Sequence, residues 1–136
     1  MRWTRLKIPA AILAAALFWV SAVGAHVHAR LKRANPPVGG IVAASAVPGE
    51  LQAWFSERVE PGLSELRVVD TAGRRVDRGD IRGDPDDLTQ LRVGLAAPLA
   101  PGLYRVMWRA VSSDTHRTNG SFPFRVRAKI RPGMAR

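Results

Sequence analysis

The 136-residue sequence contains no cysteine, one tyrosine and only three histidines. Without thiols the chain cannot form a disulfide scaffold, a thiolate zinc site, an iron–sulfur site or a cysteine nucleophile. Any imidazole chemistry is limited to His26, His28 and His116. Acidic residues are also few, 11 against 21 Lys plus Arg, so the formal net charge is +10. The length is sufficient for one domain.

After the first 25 residues no apolar run is long enough to cross a membrane. Residues 1–25 have the three parts of a secretory signal peptide: a basic start from Met1 to Lys7, an apolar core from Ala10 to Val20, and small residues up to Ala25. The apolar core is shorter than the roughly 20 residues of a membrane-spanning helix. We therefore predict cleavage and export to a periplasmic or extracellular space, with membrane contact only before cleavage. The alternative is an uncleaved membrane anchor.

Short stretches of alternating apolar and polar residues, separated by turns rich in Pro and Gly, fill the rest of the chain. Their apolar members are Leu51, Ala53 and Phe55; Leu66 and Val68; Leu91, Val93 and Leu95; Tyr104, Val106, Trp108 and Ala110; and Phe122, Phe124 and Val126. A period of two is typical of strands with one face on a core. We predict an all-β, Greek-key sandwich or barrel. Gly102-Leu103-Tyr104 resembles the tyrosine corner of immunoglobulin-like sandwiches.

Two polar segments are assigned no function. Asp77 to Asp87 contains five aspartates, but it lacks the spacing and the closing Glu of an EF-hand, so we predict a solvated loop rather than a calcium site. Residues 128–136 are predicted to be a frayed basic tail. Export, and the lack of clustered bases with interleaved aromatics, argue against nucleic-acid binding.

The histidines lie at two places that suit a metal ion. Cleavage after Ala25 gives His26 a free amine, which titrates near pH 8 and can chelate a metal together with its own ring. Asp114 and His116 are two residues apart, so on extended backbone they point to the same side. Nitrogen and oxygen donors without sulfur favour Cu(II), with Zn(II) as the weaker alternative. The mature chain has only Met107 and Met134, which argues against a thioether Cu(I) site. The ordinary alternative is a solvated terminus and a surface turn.

Several motifs resemble the periplasmic copper-resistance CopC family. The most specific is Tyr104-Arg105-Val106-Met107-Trp108 followed by Ser112-Ser113-Asp114-Thr115-His116 and then Gly120-Ser121-Phe122. His28-Ala29-Arg30-Leu31 resembles the family's amino-terminal opening, and Phe55-Ser56-Glu57 resembles a strand end of the family. The similarity spans nearly all of residues 26–127, which we take as the domain.

The resemblance implies a Greek-key, immunoglobulin-like sandwich of about seven strands that binds Cu(II). The implied ligands are Asp114, His116 and the amine and ring of an amino-terminal His. The family's register points to His28 as the first residue, whereas the cleavage rule points to His26. If His26 is first, His28 is third and can also wrap Cu(II). We keep both histidines as candidate ligands, and the Met cluster of some family members has no counterpart here.

The predicted function is Cu(II) binding for copper homeostasis or resistance, by buffering or by delivery to an inner-membrane importer or another carrier. The protein is not predicted to be an enzyme. One alternative is a copper-dependent oxidative enzyme, because polysaccharide monooxygenases also use an amino-terminal histidine chelate. Another is a basic β-sandwich that docks on anionic lipid or on a partner. A Ser112–Asp114–His116 hydrolase triad is rejected because three groups within five residues do not readily align as nucleophile, orienter and base.

Overall fold

A computed structural model describes residues 28–129 of the chain. The predicted signal peptide, its cleavage site, His26 and residues 130–136 of the predicted tail lie outside the described residues. Within the described range every regular element is a strand or a single 3-10 turn, and no helix has the length and apolar character to cross a membrane. The strands are β1 Leu31–Asn35, β2 Ile41–Ala43, β3 Glu50–Phe55, β4 Glu65–Val69, β5 Arg82–Asp84, β6 Asp87–Gly94, β7 Gly102–Val111 and β8 Arg117–Arg127.

The strands form two four-stranded sheets, in the orders β1-β3-β6-β5 and β2-β8-β7-β4. All pairings are antiparallel except that of β2 with β8, which is parallel. The predicted all-β, immunoglobulin-like sandwich is confirmed. The described residues contain eight strands rather than about seven. The edge strands β2 and β5 have only three residues each, which is too short to show an alternating pattern.

The core lies between the sheets and consists of the inward members of each alternating strand. Most of the residues that the sequence placed on the inner face are buried, and the half-buried Trp108 packs against them. The Tyr104 hydroxyl donates a 2.5 Å hydrogen bond to the carbonyl of Ala100, and its ring stacks on Phe124 with centroids 5.3 Å apart. This is the backward contact of a tyrosine corner, so that prediction is also confirmed.

The prediction of a solvated loop from Asp77 to Asp87 is correct for most positions, which are exposed or half-buried, but wrong for Asp77 and for the strand within the segment. This segment contains β5 and the first residue of β6, and the Asp77 carboxylate is buried. It accepts hydrogen bonds from the backbone N–H of Val68 at 2.8 Å, from the backbone N–H of Gly79 at 2.9 Å and from Arg75 Nε at 2.8 Å. Composition marks such a segment as exposed, but here a carboxylate satisfies backbone donors that the sheet leaves unpaired.

Candidate metal centre

The candidate site begins with the tight loop between β7 and β8. Val111 pairs with Arg117, and the loop closes when the Ser112 N–H donates to the His116 carbonyl at 3.0 Å. The Thr115 N–H donates to the Ser112 carbonyl at 2.9 Å, and Thr115 has a left-handed φ of 71°. A β-branched residue in this conformation is strained, and such strain persists where the surrounding contacts define the loop closely.

This loop brings Asp114 and His116 into direct contact. His116 Nδ1 lies 2.9 Å from Asp114 Oδ2, while the hydroxyl of the buried Ser112 donates to Asp114 Oδ1. The sequence predicted that Asp114 and His116 would share a side because the backbone is extended. In the structure the two residues meet because they lie in a turn between two strands. The pKa of Asp114 is lowered from 3.8 to about 2. The main cause is the hydrogen bond from the Ser112 hydroxyl, and the His116 ring is the second. The folded loop therefore gains stability above the unfolded pKa and loses it as the pH falls towards 2.

The same contacts argue against a hydrolase triad. The Ser112 hydroxyl donates to a carboxylate rather than to an imidazole, and Ser112 is buried. Both Ser112 and His116 therefore point at Asp114. A nucleophilic serine requires a base at its hydroxyl and access to substrate, so this row of residues does not have a triad geometry.

Hydrogen bonds from two distant strands hold the amino-terminal segment beside this loop. Ser56, just after β3, accepts at Oγ from the Arg30 N–H at 2.9 Å and donates its own N–H to the Arg30 carbonyl at 2.8 Å. The Thr118 hydroxyl, on β8, donates to the carbonyl of Ala29 at 2.6 Å. Ala29 is itself buried in the core. The preceding residue, His28, is consequently held at the end of the β7–β8 hairpin.

The anchored segment places the His28 ring against the His116 ring. The two centroids are 5.2 Å apart, and the ring planes are inclined at 77°. One metal ion with nitrogen ligands at about 2.0–2.1 Å can bridge two imidazoles at such a separation. His28 is exposed and His116 is half-buried, so the pair is open to solvent.

The structure places His116 in contact with each of two other predicted ligands, with the His28 ring at 5.2 Å between centroids and with Asp114 Oδ2 at 2.9 Å from Nδ1, while His26 lies outside the described residues. Within residues 28–129 no three His, Asp or Glu side chains converge closely enough to hold a metal ion by themselves. The sequence argument assigned no role to Ser56, Ser112 or Thr118. In the sequence, Ser56 is recognisable only as part of the Phe55-Ser56-Glu57 motif. Thr118 has no signal beyond its position two residues after His116, which places both on the same side of an extended strand.

The indole of Trp108 on β7 packs closely against the backbone of Gly120 on β8, on the core side of the hairpin. Gly120 pairs with Trp108, and a Cβ at Gly120 would lie 2.6 Å from the indole ring. The absence of a side chain therefore lets the indole lie against the β8 backbone. The same indole packs edge-to-face on Phe55, with centroids 5.2 Å apart. This contact ties the hairpin to the strand end that carries Ser56.

Replacing Thr118 with valine tests whether the hydrogen bond from Thr118 to the Ala29 carbonyl positions the metal site. Valine preserves the shape and strand preference but removes the hydroxyl that bonds Ala29. We expect a fall in copper affinity of about 10- to 100-fold, the size typical of lost supporting contacts around metal ligands. The free energy of unfolding should fall by only about 1 kcal/mol. Competition with a chelator and thermal denaturation measure the two effects.

Thr89→Val is the matched control, because the Thr89 hydroxyl also makes a hydrogen bond, but to Asp87 on its own strand β6 and not to the amino-terminal segment. Copper affinity should be unchanged in this variant. Equal copper affinities in Thr118→Val and the parent protein would show that the Thr118–Ala29 hydrogen bond does not position the site.

Comparison with known proteins bears on what this site does. The family model described as the CopC domain matches residues 31–127, a range that contains Asp114 and His116. The chain belongs to the CopC family. Copper resistance protein C of Pseudomonas syringae pv. tomato is 35% identical over 121 residues, which cover 85% of this chain and 92% of that protein.

Solved structures agree with the CopC assignment. The crystal structure of CopC from Methylosinus trichosporium OB3b is 33% identical with a TM-score of 0.69, covering 76% of this chain and 98% of that one. PcoC from Escherichia coli, described as a methionine-rich copper resistance protein, is 31% identical with a TM-score of 0.64, covering 74% of this chain and 100% of that one. The histidine pair therefore lies at the β7–β8 loop of a CopC sandwich.

Proposed function

We propose that this CopC-family protein binds Cu(II) in the periplasm and buffers it or delivers it to an inner-membrane importer or another carrier. The observation that carries the proposal is the juxtaposition of the His28 and His116 rings, 5.2 Å apart, beside the Asp114 carboxylate. Copper-resistance relatives of the same family support copper as the metal. The protein acts in this proposal as a carrier rather than an enzyme.

The proposed ligand set has the His116 imidazole on one side and the amino terminus on the other. Because Nδ1 of His116 lies 2.9 Å from Asp114 Oδ2, the carboxylate favours the tautomer of the neutral ring that has its lone pair at Nε2, where a metal can bind. Described residues do not complete a metal site, so the set needs a further donor. The amine of the processed chain, on His26 or on His28, supplies it together with that residue's ring.

The donor types favour Cu(II) over Cu(I). Imidazole, amine and carboxylate suit Cu(II), whereas Cu(I) favours thioether and thiolate ligands. This chain has three methionines in all and no cysteine, in contrast to the relative described as methionine-rich. Met107, the one methionine within residues 28–129, lies on β7 among the outward-facing residues of its sheet.

Intact mass and a Cu(II) titration test the proposal. The exported protein is purified, its mass identifies the first residue, and Cu(II) is added while electron paramagnetic resonance is recorded. We expect one equivalent of copper with hyperfine splitting from nitrogen ligands. If the mass assigns His26 as the first residue, a His28→Ala variant shows whether His28 is a ligand. A protein that binds no stoichiometric copper would exclude the proposal.

Replacing Asp114 with asparagine distinguishes two ways in which the carboxylate contributes. As the group that orients His116, its loss should weaken Cu(II) binding about 10- to 100-fold. As a direct ligand, which requires it to exchange the His116 contact for the metal, its loss should weaken binding by more and change the nitrogen hyperfine pattern. Chelator competition and electron paramagnetic resonance measure both. An unchanged affinity would remove Asp114 from the site.

A further inference from the structure

One sheet of the sandwich has a strongly basic outer face. Alternation along its strands points six exposed arginines away from the core, and we call them the arginine face: Arg67 on β4, Arg105 and Arg109 on β7, and Arg117, Arg125 and Arg127 on β8. Glu65 is the acidic residue among the outward-facing positions of these strands, and its carboxylate lies 3.6 Å from Arg109. Within residues 28–129 no carboxylate lies within 4.0 Å of the other five guanidinium groups.

The opposite sheet provides an internal comparison, because the arginines of its strands β5 and β6 are paired with carboxylates. Arg92 contacts Asp84 at 2.5 Å, and Arg82 contacts Glu50 at 2.8 Å. Arg33 lies over the Trp54 ring, 3.6 Å from its centroid. Positive charge is therefore concentrated on one face of the molecule rather than spread evenly, and a concentrated charge attracts an anionic surface.

Exposed aliphatic side chains lie at one end of the arginine face. Ile41 and Leu103 flank Arg125 on the two neighbouring strands, and they are 64% and 39% exposed. Val38 is 52% exposed and precedes Gly39, whose N–H donates to the Pro123 carbonyl. Arg127 at the carboxyl end of β8 and Lys129 just beyond it are also exposed and basic. Basic and aliphatic groups therefore occur together at this end.

The combination favours a lipid surface over a protein partner. Guanidinium groups bind phosphate oxygens in a bidentate manner, and aliphatic side chains can enter the boundary between headgroups and acyl chains. Exposed large apolar residues of the described chain are all aliphatic, whereas protein interfaces are usually anchored by Trp or Tyr as well as Arg. We propose that the arginine face docks the protein on an anionic phospholipid bilayer, with Val38, Ile41 and Leu103 at the lipid boundary.

This docking uses none of the proposed copper ligands, although Arg109 and Arg117 of the arginine face lie at the histidine end of the β7–β8 hairpin. The histidine pair lies at the other end of the β7–β8 hairpin from Leu103, because Val111 is eight positions further along β7, about 26 Å along an extended strand. The site therefore remains open to solvent when the aliphatic end is at the membrane. Copper-free protein should bind as well as copper-loaded protein.

Sedimentation with vesicles tests the docking. The exported, processed protein is mixed with vesicles of phosphatidylcholine alone or with about one third phosphatidylglycerol, at low salt. We expect binding only to the anionic vesicles and its loss at high salt, because the Debye length shortens from about 10 Å at 0.1 M to about 3 Å at 1 M. The triple variant Arg67→Gln, Arg105→Gln, Arg125→Gln should lower the partition constant by on the order of 100-fold, since each base near the surface contributes about fivefold.

A second triple variant, Lys32→Gln, Arg58→Gln, Arg74→Gln, removes the same charge at exposed positions outside the arginine face and is the matched control. It should retain most of the binding. Equal losses in the two variants would mean that net charge alone drives adsorption, which would overturn the proposal. Failure to bind anionic vesicles, with retention on immobilised polyglutamate, would also overturn it in favour of an acidic protein partner.

Discussion

Replacing His116 with alanine should lower Cu(II) affinity by more than about 100-fold. Loss of a supporting contact typically lowers metal affinity by 10- to 100-fold, and loss of a ligand should have a larger effect. Of the two histidines within residues 28–129, His116 has more contacts that fix its position, because its ring contacts Asp114 and its carbonyl accepts the Ser112 N–H. Chelator competition measures the affinity, and the nitrogen hyperfine signal should change with it.

Ser113→Ala is the control for this prediction, because Ser113 is exposed in the same loop but lies outside the proposed ligand set. Circular dichroism should show the same fold for both variants, since the affected side chains lie at the surface end of the hairpin. A His116→Ala protein that still binds one equivalent of Cu(II) with parental affinity would contradict the proposed centre.

Replacing Asp77 with asparagine should lower the free energy of unfolding by about 3 kcal/mol. The buried carboxylate accepts hydrogen bonds from two backbone N–H groups and from Arg75. An amide has one acceptor oxygen and presents an NH₂ group to the remaining donors, so buried polar groups lose their partners. For a domain of this size the loss corresponds to a fall of roughly 15 °C in Tm.

Asp86→Asn is the matched control, because Asp86 is an exposed aspartate of the same polar segment. Its substitution should change Tm by no more than about 2 °C, as is usual for surface positions. Equal Tm values for the Asp77 and Asp86 variants would mean that the buried carboxylate does not stabilise the connection between β4 and β5.

The alternating strands were predictable because their pattern is local. Leu51, Ala53 and Phe55 of β3 are buried as their period of two indicates, and the same holds for Phe122, Phe124 and Val126 of β8. Strands β1, β2 and β5 were not predicted, because β2 and β5 have only three residues and the sequence of β1, Leu31–Asn35, does not alternate. Asp77 was missed because composition alone does not show which backbone donors a carboxylate will meet.

The sequence by itself determined that strands with one buried face build an all-β sandwich, and that Asp114 and His116 share one short loop. These features depend on residues close together in the chain. Only the tertiary structure decided that His28 lies beside His116 and that six exposed arginines collect on one sheet. The hydrogen bonds that hold the amino-terminal segment span 26 and 89 residues, and strand pairing has to form before such distant groups can meet.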